Sequence, residues 1–397
     1  MSIRPGAMLG LLGGGQLGRM FTMAAQSMGY RVTVLDPSDV GPASSVAERH
    51  LHADYLDHEA LRKLGSGCAA ITTEFENVPA ESLKKLAQHC VVSPGANSVA
   101  IAQNRILEKN FLATNGFAVA PYAVIENAQS SEGSSYSPGS SGSVWGVSHL
   151  HSGRLEDLFP GLLKVSRLGY DGKGQVRVTS ASELDAAFTS LNREPCVLER
   201  LLPLECEVSV IVARGFDGAA VTFPVSENRH RNGILDVSIV PAGLAPAVIQ
   251  HARGTAMSIA EKLDYHGVLC VEFFVLAGDQ LVVNEIAPRP HNSGHYTVDA
   301  CVTSQFEQQV RVLCGMPLGS TAMHGAAVMV NLLGDLWQRG EPEWERVLRF
   351  SNVKLHLYGK YEARPGRKMG HYTVLDETAE AALSLALEIK QSLDERP

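Results

Sequence analysis

Residues 169–175 read Gly-Tyr-Asp-Gly-Lys-Gly-Gln and follow closely on an apolar stretch that ends near Lys164. Three glycines in this loop let a hairpin fold closely over phosphate groups, because backbone N–H groups can then act as donors. Lys164 can add a positive charge to the same phosphates. The stretch is not a Walker loop, since no Ser or Thr follows its Gly-Lys pair. It indicates a phosphate-binding hairpin, and a plain glycine hairpin is the alternative.

Carboxylates follow or interrupt several apolar strands after this loop. Residues 197–202 read Val-Leu-Glu-Arg-Leu-Leu, and an exposed strand of this kind can bind an adenine edge through backbone groups. Glu272 interrupts an apolar strand, and Asn284 and Glu285 end the next one. Acids on adjacent antiparallel strands meet at one end of a sheet, and such hard oxygen ligands suit Mg²⁺ bound with ATP phosphates. For Glu272, an edge-strand acid facing water is the alternative.

Another glycine loop, the first along the chain, lies near its start. Gly13-x-Gly15-x-x-Gly18 follows an apolar strand and precedes a helical pattern, and Asp36 stands near the position of a ribose-binding acid. This arrangement fits a dinucleotide fingerprint, although it requires only that N–H groups at a helix N-terminus face an anion. An NAD(P) or flavin site, a phosphate of another ligand and a turn that serves packing alone all stay open at this point.

The order of elements predicts a doubly wound α/β domain followed by a region of short strands. Strands at 7–12 and 31–35 flank the first helix, and this unit opens a parallel sheet. Further predicted elements are strands at 68–72, 90–92, 162–165, 175–178, 196–199, 206–212, 267–276 and 280–285, and helices at 80–89, 98–115, 245–263 and from 378. Residues 129–143 are rich in Ser and Gly and predict a flexible surface loop.

Composition excludes several classes of protein. A chain of 397 residues suggests two or three domains. The net charge of −8 argues against a nucleic-acid partner, and no apolar run approaches the roughly 18 residues of a membrane span. The 7 cysteines form no C-x-x-C pair, which is typical of reduced thiols in a cytoplasmic protein.

The order of a lysine, a glycine loop, a Glu-x-x-Leu hinge, a Glu and an Asn-Glu resembles the ATP-grasp superfamily. Four stretches together resemble the N5-carboxyaminoimidazole ribonucleotide synthetase family: residues 73–77, 169–175, 287–295 and 364–371. The resemblance covers nearly the whole chain and implies a mixed α/β ATP-grasp fold with a doubly wound pre-ATP-grasp domain. The implied domains are 1–104, 105–310 with a lid at about 120–205, and a C-terminal region at 311–397.

The resemblance also implies an activity. Members of this family couple ATP and bicarbonate to 5-aminoimidazole ribonucleotide in purine biosynthesis, through carboxyphosphate, with release of ADP and phosphate. They use Mg²⁺, bind neither nucleic acid nor membrane, and are commonly homodimers. We therefore expect a cytoplasmic ligase whose partners are these small molecules.

By the same resemblance, one set of residues falls on ATP and its metal. The expected ATP-binding residues are Arg105, Lys164, Gly169, Tyr170, Asp171, Gly172, Lys173, Gly174, Gln175, Glu199, Arg200, Leu201, Leu202, Glu207, His230, Asn284 and Glu285. Glu272 and Glu285 are the expected Mg²⁺ ligands. For His230, a surface histidine in a polar loop is the alternative.

A second set falls on the ribonucleotide and on the reaction. The expected substrate-binding residues are Gly15, Gln16, Leu17, Glu74, Asn77, His291, Asn292, Ser293, Lys360, Arg367 and Lys368. Lys360, Arg367 and Lys368 form a basic cluster that suits the 5′-phosphate, and a solvated basic loop is the alternative. Tyr170 and Asp171 are expected to close over the intermediate, and Arg289 to stabilise its anion.

The chain departs from the family pattern at two places, and other functions compete. Leu168 stands where the family usually has a glycine, and residues 129–143 replace an ordinary connection. The rivals are a formate-dependent glycinamide ribonucleotide transformylase, a dinucleotide-dependent oxidoreductase and a non-catalytic nucleotide-binding protein. The oxidoreductase would leave the loop at 169–175 and both expected metal ligands without a role.

Overall fold

The computed structural model describes residues 2–127, 144–151, 153–169 and 174–395. Tyr170, Asp171, Gly172 and Lys173 lie outside the described residues, as does the predicted loop at 129–143. The chain divides into two compact units. Unit 1 comprises Met1–Ala100, Glu207–Glu272 and Ile286–Pro397, and unit 2 comprises Ile101–Cys206 and Phe273–Glu285.

The elements alternate between strands and helices along the chain. The strands are β1 (Met8–Leu12), β2 (Arg31–Asp36), β3 (Arg49–His52), β4 (Ala70–Thr73), β5 (Val91–Val92), β6 (Tyr122–Asn127), β7 (Trp145–Leu150), β8 (Gly161–Val165), β9 (Gln175–Val178), β10 (Cys196–Arg200), β11 (Leu204–Arg214), β12 (Ala220–Thr222), β13 (Ser226–Arg231), β14 (Ile234–Val240), β15 (Gly267–Leu276), β16 (Gln280–Ala287), β17 (Ala326–Leu333), β18 (Val353–Leu357) and β19 (Lys368–Asp376). The α-helices are α1 (Gln16–Ser27), α2 (His58–Gly67), α3 (Ala80–Leu86), α4 (Ala96–Ala102), α5 (Arg105–Thr114), α6 (Leu184–Ser190), α7 (Pro246–Lys262), α8 (Thr297–Ala300), α9 (Gln305–Leu313), α10 (Glu345–Leu348) and α11 (Ala379–Asp394). Short 3-10 helices lie at Leu155–Leu158, Ala181–Glu183, Asn292–Gly294 and Gly334–Trp337.

Unit 1 begins with the predicted parallel sheet, whose strand order is β3-β2-β1-β4-β5. Strand β1 is buried along its whole length and pairs in parallel with both β2 and β4. Helix α1 turns Leu17, Phe21 and Ala25 into a shared hydrophobic core, because residues four apart lie on one helix face. Gly29 follows with φ of +82°, a conformation that favours glycine and ends the helix. This sheet holds the first glycine loop at the carboxyl end of β1.

The rest of unit 1 is built on an antiparallel sheet in which β11, β13, β14, β17, β19 and β18 are successive neighbours. Helix α11 covers one face with apolar side chains such as Ala386 and Ile389, which pack with Val328 and Val374. Adjacent positions along a strand face opposite sides, and Asn331 and His371 therefore share the other face. The sheet thus has one apolar face against a helix and a second face that carries polar groups.

Unit 2 contains an antiparallel sheet with the order β7-β6-β10-β8-β9. Helix α6 packs Leu184 and Phe188 into its core. Strands β8 and β9 pair from Gly161 with Val178 to Lys164 with Gln175. This pairing confirms the strands predicted on either side of the glycine loop at 169–175.

One local prediction and one alternative are wrong. The helix predicted over 98–115 is divided into α4 and α5, because the Asn104 side chain accepts hydrogen bonds from the N–H groups of Ile106 and Leu107 and thereby begins a new helix. His230 lies on strand β13 and not in a polar loop, since that stretch pairs with both β11 and β14. Within the described parts of the chain, no helix combines the length and the apolar character that a membrane span needs.

Candidate active site

The first glycine loop binds carboxylates of its own unit. Glu74 accepts hydrogen bonds from the N–H of Gly15 at 2.5 Å and of Gly18 at 2.7 Å, so its carboxylate sits at the N-terminus of α1. Asp36 accepts from the N–H of Gly14 at 2.7 Å and from the Tyr55 hydroxyl at 2.6 Å. The dinucleotide interpretation is therefore wrong, because the donors that would face a pyrophosphate already bind these acids.

Glu74 is almost fully buried at this position. Burial raises the pKa of Glu74, while the N–H groups of Gly18 and Gly15 and the charge of Lys360 act in the opposite direction. Leu17 lies in the hydrophobic core, which leaves its backbone for any ligand, whereas Gln16 and Asn77 are partly exposed. The predicted substrate residues Gly15 and Glu74 are thus in direct contact.

Arg289 and Glu76 form a second carboxylate contact in unit 1. The guanidinium Nε of Arg289 donates to Glu76, and Nη1 donates to the carbonyl of Pro290 at 3.2 Å. Burial acts to raise the pKa of Glu76, but the Arg289 charge outweighs it and the pKa is lowered. Glu76 is therefore an anion that fixes the orientation of Arg289.

His291, Ser293 and Glu272 form a connected group. His291 Nε2 lies 3.1 Å from Glu272 Oε1, and its Nδ1 lies 2.9 Å from the Ser293 hydroxyl. Burial and the nearby charges of Arg289 and Lys368 lower the pKa of His291 well below its usual value. The neutral ring then donates from Nε2 to Glu272 and accepts from Ser293, which fixes one oxygen of the expected metal ligand. Both amide atoms of the neighbouring Asn292 are buried without a partner among the described residues.

His230 and Glu207, both predicted at the nucleotide, lie side by side on neighbouring strands. His230 Nδ1 is 3.1 Å from Glu207 Oε2. Burial acts to lower the pKa of His230, yet the hydrogen bond and charge of Glu207 raise it overall. The charges of Glu272 and Lys368 also act on this histidine, which places it beside the previous group.

The basic cluster adjoins the same acids and histidines. Lys360 Nζ donates to the carbonyl of Lys368 at 2.7 Å, and Arg367 Nη1 donates to the carbonyl of Glu362 at 2.8 Å. The charge of Lys360 acts on Glu74, and that of Lys368 acts on Glu76 and His291. Unit 1 therefore concentrates positive charge near the carboxylates of Glu74 and Glu76.

Unit 2 brings several predicted ATP residues together around one buried carboxylate. Lys164 Nζ lies 3.1 Å from Glu199 Oε2, and Lys109 Nζ lies 3.4 Å from the same oxygen. Glu199 is 3% exposed, and although burial acts to raise its pKa, the charges of Lys109, Lys164 and Arg105 lower it to about 2. Burial, together with the neighbouring cations, lowers the pKa of Lys164 despite the opposing effect of Glu199.

Asn284 and Glu285 lie on β16 and adjoin helix α5 in unit 2, and the strand continues beyond its predicted end to Ala287. Arg105 Nη1 is 3.4 Å from Glu285 Oε2, and Lys109 Nζ donates to the Asn284 carbonyl at 2.8 Å. The side-chain oxygen Oδ1 of Asn284 is buried and has no hydrogen-bond partner among the described residues. This oxygen accepts no hydrogen bond from the described residues and lies next to a carboxylate. Two such oxygen ligands suit a hard cation.

The hinge at 199–202 spans the end of β10, the central strand of the unit 2 sheet. Strand β10 is buried up to Glu199, so the expectation of an exposed strand here is wrong. The N–H groups of Arg200 and Leu201 bind the carbonyls of Pro121 and Pro160, and the Leu201 side chain is 40% exposed. Leu202 follows this strand end and is partly buried. Leu168 and Gly174 have φ of +61° and +71°. Gly169 directly follows Leu168, and Gln175 is the first residue of β9.

Two residues of these groups were not predicted as functional. Glu76 follows Glu74 at alternate positions after β4, and Lys109 follows Arg105 by four residues on α5. Spacing of four places Lys109 on the same helix face as Arg105, and this was the available signal. For Glu76, the sequence shows only an acidic residue between Phe75 and Asn77, which does not indicate a partner.

Three protein families match successive parts of the chain. The ribonucleotide synthetase preATP-grasp domain matches residues 7–103, the ATP-grasp domain residues 153–306, and the phosphoribosylaminoimidazole carboxylase C-terminal domain residues 327–384. The last match favours the predicted carboxylase family over a glycinamide ribonucleotide transformylase.

Individual relatives agree with these matches. N5-carboxyaminoimidazole ribonucleotide synthase of Brucella melitensis is 43% identical over 374 residues, which cover 94% of this chain and 97% of the relative. A crystal structure of the ADP complex of an N5-carboxyaminoimidazole ribonucleotide synthetase is 39% identical, with a TM-score of 0.85 and 99% of each chain covered. The synthase of Aspergillus clavatus, solved with ADP and 5-aminoimidazole ribonucleotide, is 28% identical, with a TM-score of 0.83 and coverage of 98% and 99%. The expected fold and family are confirmed: the chain belongs to the N5-carboxyaminoimidazole ribonucleotide synthases, ATP-grasp ligases of purine biosynthesis.

Proposed function

We propose that this ligase uses ATP, Mg²⁺ and bicarbonate to carboxylate 5-aminoimidazole ribonucleotide through carboxyphosphate. The observation that carries the proposal is the group of cations Arg105, Lys109 and Lys164 around Glu199 in a protein whose net charge is −8. Such a local concentration of positive charge is what a triphosphate requires in an acidic chain.

The reaction has two bond-forming steps. A bicarbonate oxygen attacks the γ-phosphorus of ATP, the bridging bond to the β-phosphate breaks, and ADP leaves. The substrate amine then attacks the carboxyl carbon of carboxyphosphate, the bond from that carbon to the phosphate oxygen breaks, and the amine loses a proton. Lys164 and Arg105 stabilise the phosphate charge, and Arg289, held by Glu76, stabilises the bicarbonate-derived anion. Tyr170 and Asp171 close over the intermediate and exclude water.

Mg²⁺ neutralises triphosphate charge when it is bound with ATP. We propose Glu272 and Glu285 as its ligands, each of which is already oriented within its own unit by His291 or Arg105. The unpartnered Oδ1 of Asn284 supports this donor set. The other proposed ATP-binding residues are Gly169, Gly172, Lys173, Gly174, Gln175, Glu199, Arg200, Leu201, Leu202, Glu207 and His230.

The ribonucleotide is proposed to bind in unit 1. Glu74, held by the first glycine loop, is proposed to lie near its amine and ribose, together with Gly15, Gln16, Leu17 and Asn77. Lys360, Arg367 and Lys368 bind the 5′-phosphate, and His291, Asn292 and Ser293 complete the site. The two amide atoms of Asn292 that lack partners support a ligand at this position. We also propose the domains 1–104, 105–310 and 311–397, a homodimer and a cytoplasmic location.

The direct test is phosphate release by the purified protein. Release from ATP should require Mg²⁺ and should rise on addition of 5-aminoimidazole ribonucleotide in bicarbonate buffer. Glycinamide ribonucleotide with formate, added in its place, should give no stimulation. If aminoimidazole ribonucleotide does not stimulate release, the proposed substrate is wrong, and stimulation by formate and glycinamide ribonucleotide would favour the transformylase.

A further inference from the structure

Lys109 is a fully buried lysine whose surroundings differ from those of a surface ion pair. Its side chain is 0% exposed, and its Nζ contacts Glu199 Oε2 at 3.4 Å and the Asn284 carbonyl at 2.8 Å. A lysine is rarely buried without paired groups, since removing its charge from water is costly. Lys109 is therefore held in one position by a carboxylate and a backbone carbonyl.

Glu199 shares one oxygen between two lysines of unequal accessibility. Lys164 contacts the same Oε2 at 3.1 Å, but its side chain is 12% exposed and it lies at the end of the strand that leads into the phosphate loop. Oε1 of Glu199 is buried without a hydrogen-bond partner among the described residues. Lys164 can therefore turn towards a ligand, whereas Lys109 cannot.

Movement of Lys164 away from Glu199 has an electrostatic cost, which depends on whether another cation still contacts Glu199. A buried carboxylate left without a counter-ion is strongly destabilised, and it would compete with phosphate for Lys164. With Lys109 in place, one cation still contacts Glu199 after Lys164 has moved. The competition between Glu199 and a triphosphate for Lys164 is thereby reduced.

We propose that Lys109 is a positioning residue that acts as the permanent counter-ion of Glu199 and so frees Lys164 to bind the phosphates of ATP. This inference rests on the proposed role of Lys164 in ATP binding. It assigns Lys109 an effect on phosphate affinity without any contact with ATP. Removal of Lys109 should therefore weaken the binding of a ligand that carries phosphates more than the binding of one that carries none.

The test compares the equilibrium binding of the imido analogue of ATP with that of adenosine. Lys109→Met should weaken the analogue about 10-fold or more, equivalent to roughly 1.4 kcal/mol, and adenosine less than about 3-fold. Lys109→Met/Glu199→Gln should recover most of the lost affinity, because the carboxylate that retains Lys164 is gone. Lys63→Met, which removes an exposed lysine paired with Glu59, is the matched control and should bind both ligands normally.

Each alternative result has a separate meaning. Equal weakening of the analogue and adenosine, or no recovery in the double variant, would overturn the role of Lys109. Lys164→Met measured in parallel reports on the proposed function, since unchanged affinity there would remove Lys164 from the ATP site. If Lys109→Met does not fold, Lys109→Met/Glu199→Gln is compared with Glu199→Gln alone. These two should then bind the analogue within about 3-fold of each other, and a loss of about 10-fold would contradict the inference.

Discussion

Arg289 and Glu76 are ion-paired through the guanidinium Nε, and both side chains are mostly buried. Arg289 lies two residues after β16, and Glu76 lies three residues after β4. The contact therefore joins two segments of unit 1 that are far apart in the sequence. It fixes an arginine that the proposed mechanism requires at a bicarbonate-derived anion.

Arg289→Ala should lower both stability and turnover, but for separable reasons. It removes the ion pair that Arg289 makes with the mostly buried Glu76, and we expect a loss of about 2 kcal/mol in stability. It also removes the proposed anion contact, and kcat should fall about 100-fold or more. Arg289→Ala/Glu76→Gln should regain the thermal stability and none of the activity, as measured by melting and by phosphate release. Recovery of both would show that Arg289 is structural.

Glu285→Gln should abolish Mg²⁺-dependent turnover in a folded protein. We expect a fall of at least about 100-fold, because an amide binds a hard cation less well than a carboxylate. The measurement is phosphate release across a Mg²⁺ titration, with melting as the test of folding. Glu205→Gln changes an exposed glutamate outside the predicted set and should behave as wild type. Retained activity of Glu285→Gln would remove this residue from the metal site.

Lys360→Ala and Arg367→Ala should each raise the KM for 5-aminoimidazole ribonucleotide. A lost charge-assisted contact to phosphate corresponds to about 10- to 100-fold, and the KM for ATP should change much less. Lys360→Gln keeps a donor for the Lys368 carbonyl and separates loss of charge from loss of this bond. Arg364→Ala is the matched control from the same loop, since Arg364 is exposed and paired with Glu362. A defect confined to ATP would refute the assignment of the basic cluster.

The contact between His230 and Glu207 predicts a pH dependence of stability. Glu207 raises the pKa of His230 in the folded protein, so the contribution is fully present below the unfolded value of about 6.5. It is lost as the pH rises through the higher folded pKa. The difference in melting temperature between wild type and His230→Gln should therefore be larger at acidic pH than at pH above 8. In the Glu207→Gln background, the effect of His230→Gln on the melting temperature should no longer change with pH. If it changes with pH as in the wild type, Glu207 does not raise the pKa of His230.

Leu168 offers a test of backbone strain next to the phosphate loop. Its φ of +61° is unfavourable for a side chain, and a left-handed residue other than glycine costs roughly 1–2 kcal/mol. Leu168→Gly should therefore be more stable than Leu168→Ala by about 1 kcal/mol, since both remove the exposed isopropyl group and only alanine keeps the Cβ that disfavours a positive φ. Denaturant unfolding of the two variants measures the difference. Equal stabilities would show that residue 168 is not held in this conformation.

The elements that could be predicted were those in which local pattern and tertiary packing agree. The apolar runs of β1 and β15 and the glycine that ends α1 are sufficient to locate these elements. Strand β13 was missed because its Glu-Asn-Arg-His-Arg sequence is polar, and only pairing with β11 and β14 makes it a strand. The functional residues followed from a family resemblance, whereas the Lys109–Glu199 and Arg289–Glu76 pairs depend on folding distant segments together.

Glu74 changes how the first glycine loop should be understood in protein engineering. The loop resembles a dinucleotide-binding loop in sequence, but the Glu74 side chain, which directly follows β4, already occupies its N–H groups. A Cβ at Gly15 would lie 2.3 Å from Glu74 Oε1, so the glycine there leaves room for a glutamate and not for an incoming cofactor. Grafting a nicotinamide cofactor onto this scaffold would thus begin at Glu74, which lies 59 positions after Gly15 of the motif that suggests it.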